Sequence, residues 1–281
     1  MGSMTQALFR GDATLTECVA TVTAITAQGI VLDQTVFYPL GGGQAGDAGV
    51  LLVQSGPYAG REILIADTRK GKDAQGKFTS DICHVPSPLP GHEAAPGDPM
   101  HVHGLALGDT VIARLDWARR HKLMRFHSAT HLLCHLVPQL VNGCSITPDY
   151  ARLDFNMNEP LDKDQLNAGL ARLVAEAHPL VVGAITDAEL DANPALVKSM
   201  SVQPPRGSGS VRTIRIGAGA MIDFQPCGGT HVANTAEIGS VVVTRIEKKS
   251  AMTRRVVLGF AATTPVQQSE LSPARVLPPS S

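Results

Sequence analysis

His127 and His131 stand four residues apart in a stretch that reads as helical, and Cys227 and His231 stand four apart about a hundred residues later. Four residues is just over one helical turn, so the two imidazoles project from one face and can share one ion. Between Cys227 and His231 lies Gly228-Gly229-Thr230, flexible enough for the backbone to wrap both side chains around one point. If the two stretches meet, the helix must lie against the Cys-His turn. Together they offer a His, His, Cys, His set that suits Zn²⁺ in ligand softness and in number. The plain alternative is a pair of hydrogen-bonded core histidines, since any two sit four apart often by chance. Cys227 and His231 add weight against that alternative without deciding it.

The helix is expected from about Ala118 to Val137, stopped by Pro138. Leu123, Phe126, Leu132, Leu133 and Leu136 turn it into a core, which makes a rigid platform for two ligands. Upstream, from Leu15 to about Asp116, short β-branched runs alternate with Gly, Pro, Asp and Asn: Cys18–Ile25, Ile30–Val36, Gly49–Val53, Glu62–Asp67 and Val111–Leu115. Runs so closely spaced predict a small antiparallel barrel. Within it, Phe37-Tyr38-Pro39-Leu40-Gly41-Gly42-Gly43-Gln44-Ala45-Gly46-Asp47 is a loop whose three consecutive glycines permit close backbone approach, with a phosphate or ribose as the candidate ligand. A glycine-rich turn joining two strands is the simpler reading of the residues alone. Asp81 to Gly104 is dense in Pro, Gly and His. Cys83, His84, His92, His101 and His103 raise the idea of a second metal site, but the composition favours a loop or loosely ordered insertion.

Downstream, Cys144 to Phe155 reads as hairpin strands and Leu161 to His178 as a core-facing helix. Val181–Ile185 should be a strand, Asp187–Leu196 a short helix and Gln203–Ser210 a loop. Strands follow at Val211–Ile216, Met221–Phe224, Ser240–Glu247 and Arg254–Phe260, and the Pro/Ser-rich tail, 263–281, is expected to be disordered. Five cysteines in no regular framework argue against a secreted disulfide scaffold. Cys18, Cys83, Cys134 and Cys144 read as small apolar core residues. No apolar run approaches the ~20 residues of a membrane span and no leader opens the chain, so a cytoplasmic protein is expected, with Met4 as its natural start. With a net charge of −1 no chain-wide field draws nucleic acid, and RNA contact would need local patches. Two are candidates: Arg114, Arg119, Arg120, Lys122 and Arg125 beside Trp117, and Arg245, Lys248, Lys249, Arg254 and Arg255. Charge runs of this kind are ordinarily solvated faces.

His127-Ser128-Ala129-Thr130-His131-Leu132-Leu133, followed by Cys227-Gly228-Gly229-Thr230-His231, resembles the editing domain of alanyl-tRNA synthetases and its standalone relatives, the AlaX trans-editing proteins. Three further stretches carry the likeness. The glycine-rich segment resembles the family's Tyr-Pro-x-Gly-Gly-Gly-Gln-x-Gly-Asp loop of the longer AlaX form. Asp116-Trp117-Ala118-Arg119-Arg120 resembles its Asp-Trp-x-x-Arg lead-in. Gly143 through Phe155 resembles the strand region that lines the amino-acid pocket, although Cys144 stands where the synthetases usually have serine.

The resemblance implies one Zn²⁺ per chain on His127, His131, Cys227 and His231 and makes His135 a packing or supporting residue; because four protein ligands would close a tetrahedral site, His231 is taken as the exchangeable fourth. It implies that Gly42, Gly43 and Gln44 lie at the acceptor end of tRNA, with Gln44 on the terminal nucleotides. Ser145 and Thr147 are the first candidates to recognise the substrate, Thr130 and Gln225 the alternatives near the metal. The implied reaction is hydrolysis of the ester of mischarged Ser-tRNA(Ala), and of Gly-tRNA(Ala), by a zinc-dependent aminoacyl-tRNA deacylase. Acylation alone separates such near-isosteres poorly, so a second, hydroxyl-reading site is needed. No aminoacylation domain or ATP-binding motif precedes the motifs, so the chain is expected to act in trans. The competing readings are an editing module of the threonyl-tRNA synthetase type and a non-catalytic RNA-binding module held together by zinc. The expected fold is α+β: an antiparallel β-barrel over 4–116, then a zinc-binding α/β two-layer domain over 117–262 with an antiparallel sheet and helices. Monomer and homodimer are both left open.

Overall fold

In the computed structural model, which describes residues 4–87, 104–204 and 209–261, the β-branched runs of the N-terminal half pair around a ring. The strands are β1 (Gln6–Ala7), β2 (Glu17–Thr26), β3 (Gly29–Leu32), β4 (Gln34–Thr35), β5 (Gly49–Val53), β6 (Glu62–Lys72), β7 (Phe78–Pro86) and β8 (Thr110–Leu115). Six of them hydrogen-bond in the cyclic order β2-β3-β7-β6-β5-β8, every pair antiparallel. Period-two alternation sends Ile30, Leu32, Leu51, Val53, Ile63 and Val111 into one apolar core. β1 and β4 form a small parallel pair beside the ring.

Two expectations for this half change. β6 runs five residues beyond Asp67, and β7 answers it where a loop was expected from Asp81. Cys83 and His84 are therefore buried strand residues rather than metal ligands. His84 holds the carbonyl of Ile30 (3.0 Å) through Nδ1 and meets Thr35 Oγ1 (2.8 Å) through Nε2. His92, His101 and His103 lie outside the described residues, as do the tail at 263–281 and part of the 203–210 loop.

The second half contains α1 (Trp117–Leu136), β9 (Val141–Ile146), β10 (Ala151–Asn156), α2 (Lys163–Ala175), β11 (Leu180–Ile185), α3 (Asp187–Ala192), β12 (Val211–Ile216), β13 (Asp223–Pro226), β14 (Val241–Ser250) and β15 (Thr253–Phe260). They form an antiparallel sheet β14-β15-β10-β9 and a second one, β11-β12-β13. The fold is thus mixed α and β, mostly antiparallel, with few helices. α1 packs on the first sheet and on β13, and Leu123, Phe126, Leu132, Leu133, Leu153 and Phe155 share its core. The helix expected to reach Leu196 stops at Ala192, because Pro194 brings no N–H to continue it and starts a 3-10 turn instead. No helix among the described residues is long and apolar enough to cross a membrane.

The first turn of α1 is fastened to the ring. Asp116 caps it by accepting from Arg119 N (3.0 Å). Arg119 donates to the carbonyl of Gly46, and Arg120, with no exposed surface, forks onto Asp47 while also donating to Ala13 O and Val36 O. Arg120 is accordingly no part of an RNA-facing patch. From Asp47 the chain runs back into the glycine-rich loop, which docks on β9: Ala45 N donates to Ile146 O (2.9 Å) and Ile146 N to Gly43 O (2.8 Å). That docking carries a loop of the ring into the second half of the molecule.

Candidate metal centre

The helical spacing and the Cys-His turn do converge. One ligand atom from each of His127, His131, Cys227 and His231 lies within 4.8 Å of all the others. Cys227 Sγ is 3.4 Å from His127 Nε2 and 3.3 Å from His231 Nε2. The three rings crowd together, with centroids 4.3 Å apart for His127 and His231 and 4.7 Å apart for His131 and His231. All three histidines are buried, and Cys227 is partly open. Gly229 is required by close approach: a β-carbon there would strike the His127 ring. His135, one turn on, is not in the group. Among the described residues no other set of three or more Cys, His or acidic side chains gathers in this way.

What fits the group to a metal is the far side of each ring. His127 Nδ1 donates to Gln44 Oε1 (2.7 Å), His131 Nδ1 to Asp223 Oδ2 (2.7 Å), and His231 Nδ1 lies 3.2 Å from Ser128 Oγ. With the three Nδ1 atoms engaged on that side, the Nε2 atoms of His127 and His231 face the sulfur. Such partners fix the tautomer and raise ligand basicity. Three imidazole nitrogens and a thiolate make a donor set for a borderline-soft divalent ion.

The charges agree with this arrangement. Burial opposes ionisation of Cys227, but His127 and His231 beside it hold its pKa well below the ordinary thiol value, and Gly229 N donates to the sulfur (3.4 Å). Without an ion, His131 is raised to about 9: burial works against its charge and is outweighed by the hydrogen bond to Asp223 and by the Cys227 sulfur. Asp223 is held at about 2 despite burial by the same hydrogen bond and by Lys198, with which it pairs. Burial, aided by His127, lowers His231 to about 3. A cleft of about 390 Å³ lined by Leu196, Lys198, Met221, Ile222 and Phe224 has Asp223, the partner of His131, in its wall.

The other expected contacts fall out differently. Gln44 has no exposed surface: besides holding His127, Oε1 accepts from Thr230 N (3.1 Å), and Nε2 donates to Thr230 Oγ1 (2.8 Å). It is buried against a ligand rather than set to meet a nucleotide. Ser145 pairs with Arg152, while its neighbours Cys144 and Ile146 pair with Leu153 and Ala151 on the side packed against α1. Ser145 is therefore on the face turned away from the metal ligands, by strand alternation. The Thr147 hydroxyl is taken up by the hairpin turn, donating to Tyr150 O and accepting from Tyr150 N. Thr130 donates to His127 O (2.7 Å) and Gln225 to Asp223 (2.8 Å), so both stay beside the group. Gly42 and Gly43 form the tip of the docked loop, Gly43 with a φ of 87° and packed against Cys144.

Each basic patch is only partly paired with carboxylates. Arg114 pairs with Glu17, Arg125 with Ile238 O and the Phe260 ring, Arg245 and Lys249 with Glu247, and Arg255 with Asp154. Arg254 bonds to backbone carbonyls.

Sequence reasoning missed Asp223, Ser128, Thr230 and Arg212. Ser128 and Thr230 lie inside the two motifs, and Asp223 four residues before Cys227, so adjacency to ligands was the available signal. Arg212 donates to the carbonyls of Cys227 (2.6 Å) and Gly229 (3.0 Å) and gives no such hint.

The family described as the threonyl and alanyl tRNA synthetase second additional domain matches residues 211–257. Across 261 residues the chain is 30% identical to the alanyl-tRNA editing protein AlaX-M of Methanosarcina acetivorans, spanning 90% of this chain and 98% of that one. Identity to the AlaX-M protein of Saccharolobus solfataricus is also 30%, over 264 residues, with 90% and 98% covered. The alanine–tRNA ligase of Metallosphaera sedula is 32% identical over 228 residues, which are 78% of this chain and 22% of that enzyme.

Proposed function

This chain belongs to the AlaX family of alanyl-tRNA editing proteins, and we propose that it is a trans-editing deacylase that hydrolyses the ester of seryl-tRNA(Ala), and of glycyl-tRNA(Ala), while sparing alanyl-tRNA(Ala). The observation that carries the reading is the convergence of His127, His131, Cys227 and His231 with every Nδ1 already satisfied. Zn²⁺, one per chain, is the ion this donor set suits, and when bound it supplies electrophilic stabilisation of the ester or a hold on the substrate's α-amine.

The chain's own residues do the remaining work. Gln44, Asp223 and Ser128 orient the three imidazoles, and Cys227 contributes the anionic ligand. Residues 117–262 are read as the editing unit and 4–116 as the unit that delivers the glycine-rich loop. Gly42 and Gly43 at the loop tip let the terminal ribose come close. Thr130 Oγ1, which donates to His127 O and keeps acceptor capacity, and the Gln225 amide, which bonds Asp223, are the groups we assign to reading a seryl hydroxyl.

Seryl-, glycyl- and alanyl-tRNA(Ala) should be hydrolysed side by side by metal-loaded protein. Loss of the seryl ester at least a hundredfold faster than the alanyl ester is expected, and equal or absent hydrolysis of all three defeats the reading. The burial of three of the four ligands favours a second possibility, a structural ion in a closed site. Chelation decides between them: catalysis requires that activity disappears while the far-ultraviolet circular dichroism of the fold persists, whereas a structural ion takes the fold with it.

A further inference from the structure

The glycine-rich loop is surrounded by positive charge that the site described above does not use. Tyr38 opens the loop and its hydroxyl donates to Gly41 O (2.9 Å). Phe9 packs edge-on against Tyr38, with centroids 5.4 Å apart, and Arg10 follows it as an exposed side chain. On the other flank a β-carbon at Gly41 would lie 3.7 Å from Lys70 Nζ, so this exposed ammonium rests against the loop. Arg212 approaches from β12. Its Nη1 is held by the carbonyls of Cys227 and Gly229, and its Nε is buried without a partner. Tyr38 feels the charges of Cys227, Arg212 and Arg10, which places all of them in one neighbourhood.

No carboxylate pairs with any of these three cations among the described residues, in contrast to the arginines of β8, β14 and β15. Two acids lie close to the loop: Asp47, buried and taken by Arg120, and Asp67, against Gly46 and taken by Arg69. The N–H groups of Gly42 and Gly43 also donate to no protein acceptor among the described residues. Arg10 and Lys70 are exposed cations without a carboxylate partner, and Arg212, beside the Cys227 thiolate, keeps a buried Nε free; from three separate elements around a loop with free N–H groups, they attract an anion.

We propose that Arg10, Lys70 and Arg212 form the anion site that receives the phosphodiesters of the single-stranded 3′ end of the RNA, leading its last nucleotide past Gly42 and Gly43 to the metal ligands. The proposal rests on the editing function argued above. With a net charge of −1 the chain has no general field for nucleic acid, so affinity should concentrate in such a local group.

The test is binding of an RNA stem-loop with the acceptor stem and its unpaired 3′ end, by fluorescence anisotropy across a salt series. Full-length protein and the surface variants Arg10→Gln, Lys70→Met and Lys248→Met are compared. Lys248 is exposed on β14 and belongs to the competing patch. Each of the first two substitutions should flatten the slope of log Kd against log salt by about 0.7, the share of one phosphate contact on a single strand. Lys248→Met should leave it unchanged. In deacylation the same two variants should raise KM several-fold at unaltered kcat. Slopes that ignore Arg10 and Lys70, or respond to Lys248 instead, overturn the site. If the RNA binds with the expected slopes but no ester is hydrolysed, the site stands and the editing function fails; hydrolysis with unchanged slopes refutes the site alone.

Discussion

Gln44 shows how far a single residue's role can lie from its motif. The glycine-rich stretch marks it as part of a loop, and a loop glutamine next to three glycines reads as a solvent-facing contact. Its role is set instead by the docking of that loop on β9, which aims the side chain at His127 and Thr230. Such a contact spans 83 residues to His127 and cannot be read from local sequence. Gln44→Ala should weaken zinc binding by about 10- to 100-fold, the usual effect of losing the partner of a ligating histidine. Competition with a chromophoric chelator measures it, and an unchanged affinity would show that the hydrogen bond is incidental. The same logic of placement reverses the expectation for Ser145 and Thr147. With one on the far face of its strand and the other spent on a turn, Ser145→Ala with Thr147→Val should leave the preference for seryl over alanyl esters intact. Its cost is about 1 kcal/mol of stability from the lost turn bonds. A collapse of selectivity in the double variant would return the substrate to that strand. Of the four ligands, the helical period and the short Cys-His turn suggest two pairs, and the resemblance to the editing domain joins them into one set.

Among the elements, those with strong punctuation were the readable ones. Asp116 and Pro138 bracket α1 to within a residue or two, and β5 and β12 end where their β-branched runs end. β7 was hidden because its sequence, Phe78 to Pro86, runs into a segment dense in proline and glycine, so a strand that the ring requires took on the composition of a loop. β13 sits two residues later than its apolar run suggests, because pairing with β12 brings Gln225 and Pro226 into register. The burial of β7 has a pH signature. His84 is lowered from 6.5 to about 4, chiefly by burial, with the bond to Ile30 O opposing. Between those values the unfolded chain takes up a proton that the fold refuses. Stability is therefore whole above about pH 6.5 and falls as the pH drops toward 4, by about 3 kcal/mol in total. Urea unfolding at pH 7 and at pH 4 should show this loss in the natural chain and a correspondingly smaller one in His84→Gln. Equal losses in both would mean that the imidazole is not the group responsible.

At the scale of the whole molecule, the metal ligands all belong to the second half, while the loop that steadies one of them belongs to the ring. The two have to be held in register. The joint is Arg120 on Asp47: both side chains lack exposed surface, and the guanidinium also grips Ala13 O and Val36 O. Asp47 in turn accepts from Tyr38 N (2.6 Å), so the residue that receives α1 also anchors the start of the glycine-rich loop. A buried pair of this kind gains little over apolar packing, but removing one partner strands the other charge without solvent, which costs about 3–5 kcal/mol. Asp47→Ala should therefore lower the urea midpoint by that amount in free energy at unchanged slope. It should also weaken zinc binding, although Asp47 touches no ligand, because releasing the loop withdraws Gln44 from His127. Replacing both partners, Asp47→Leu with Arg120→Met, should restore much of the stability and less of the zinc affinity, since apolar packing repays the desolvation without recreating the bond to Tyr38 N. If the single variant loses stability while its zinc affinity stays that of the natural chain, the ring and the metal centre are joined mechanically but not functionally.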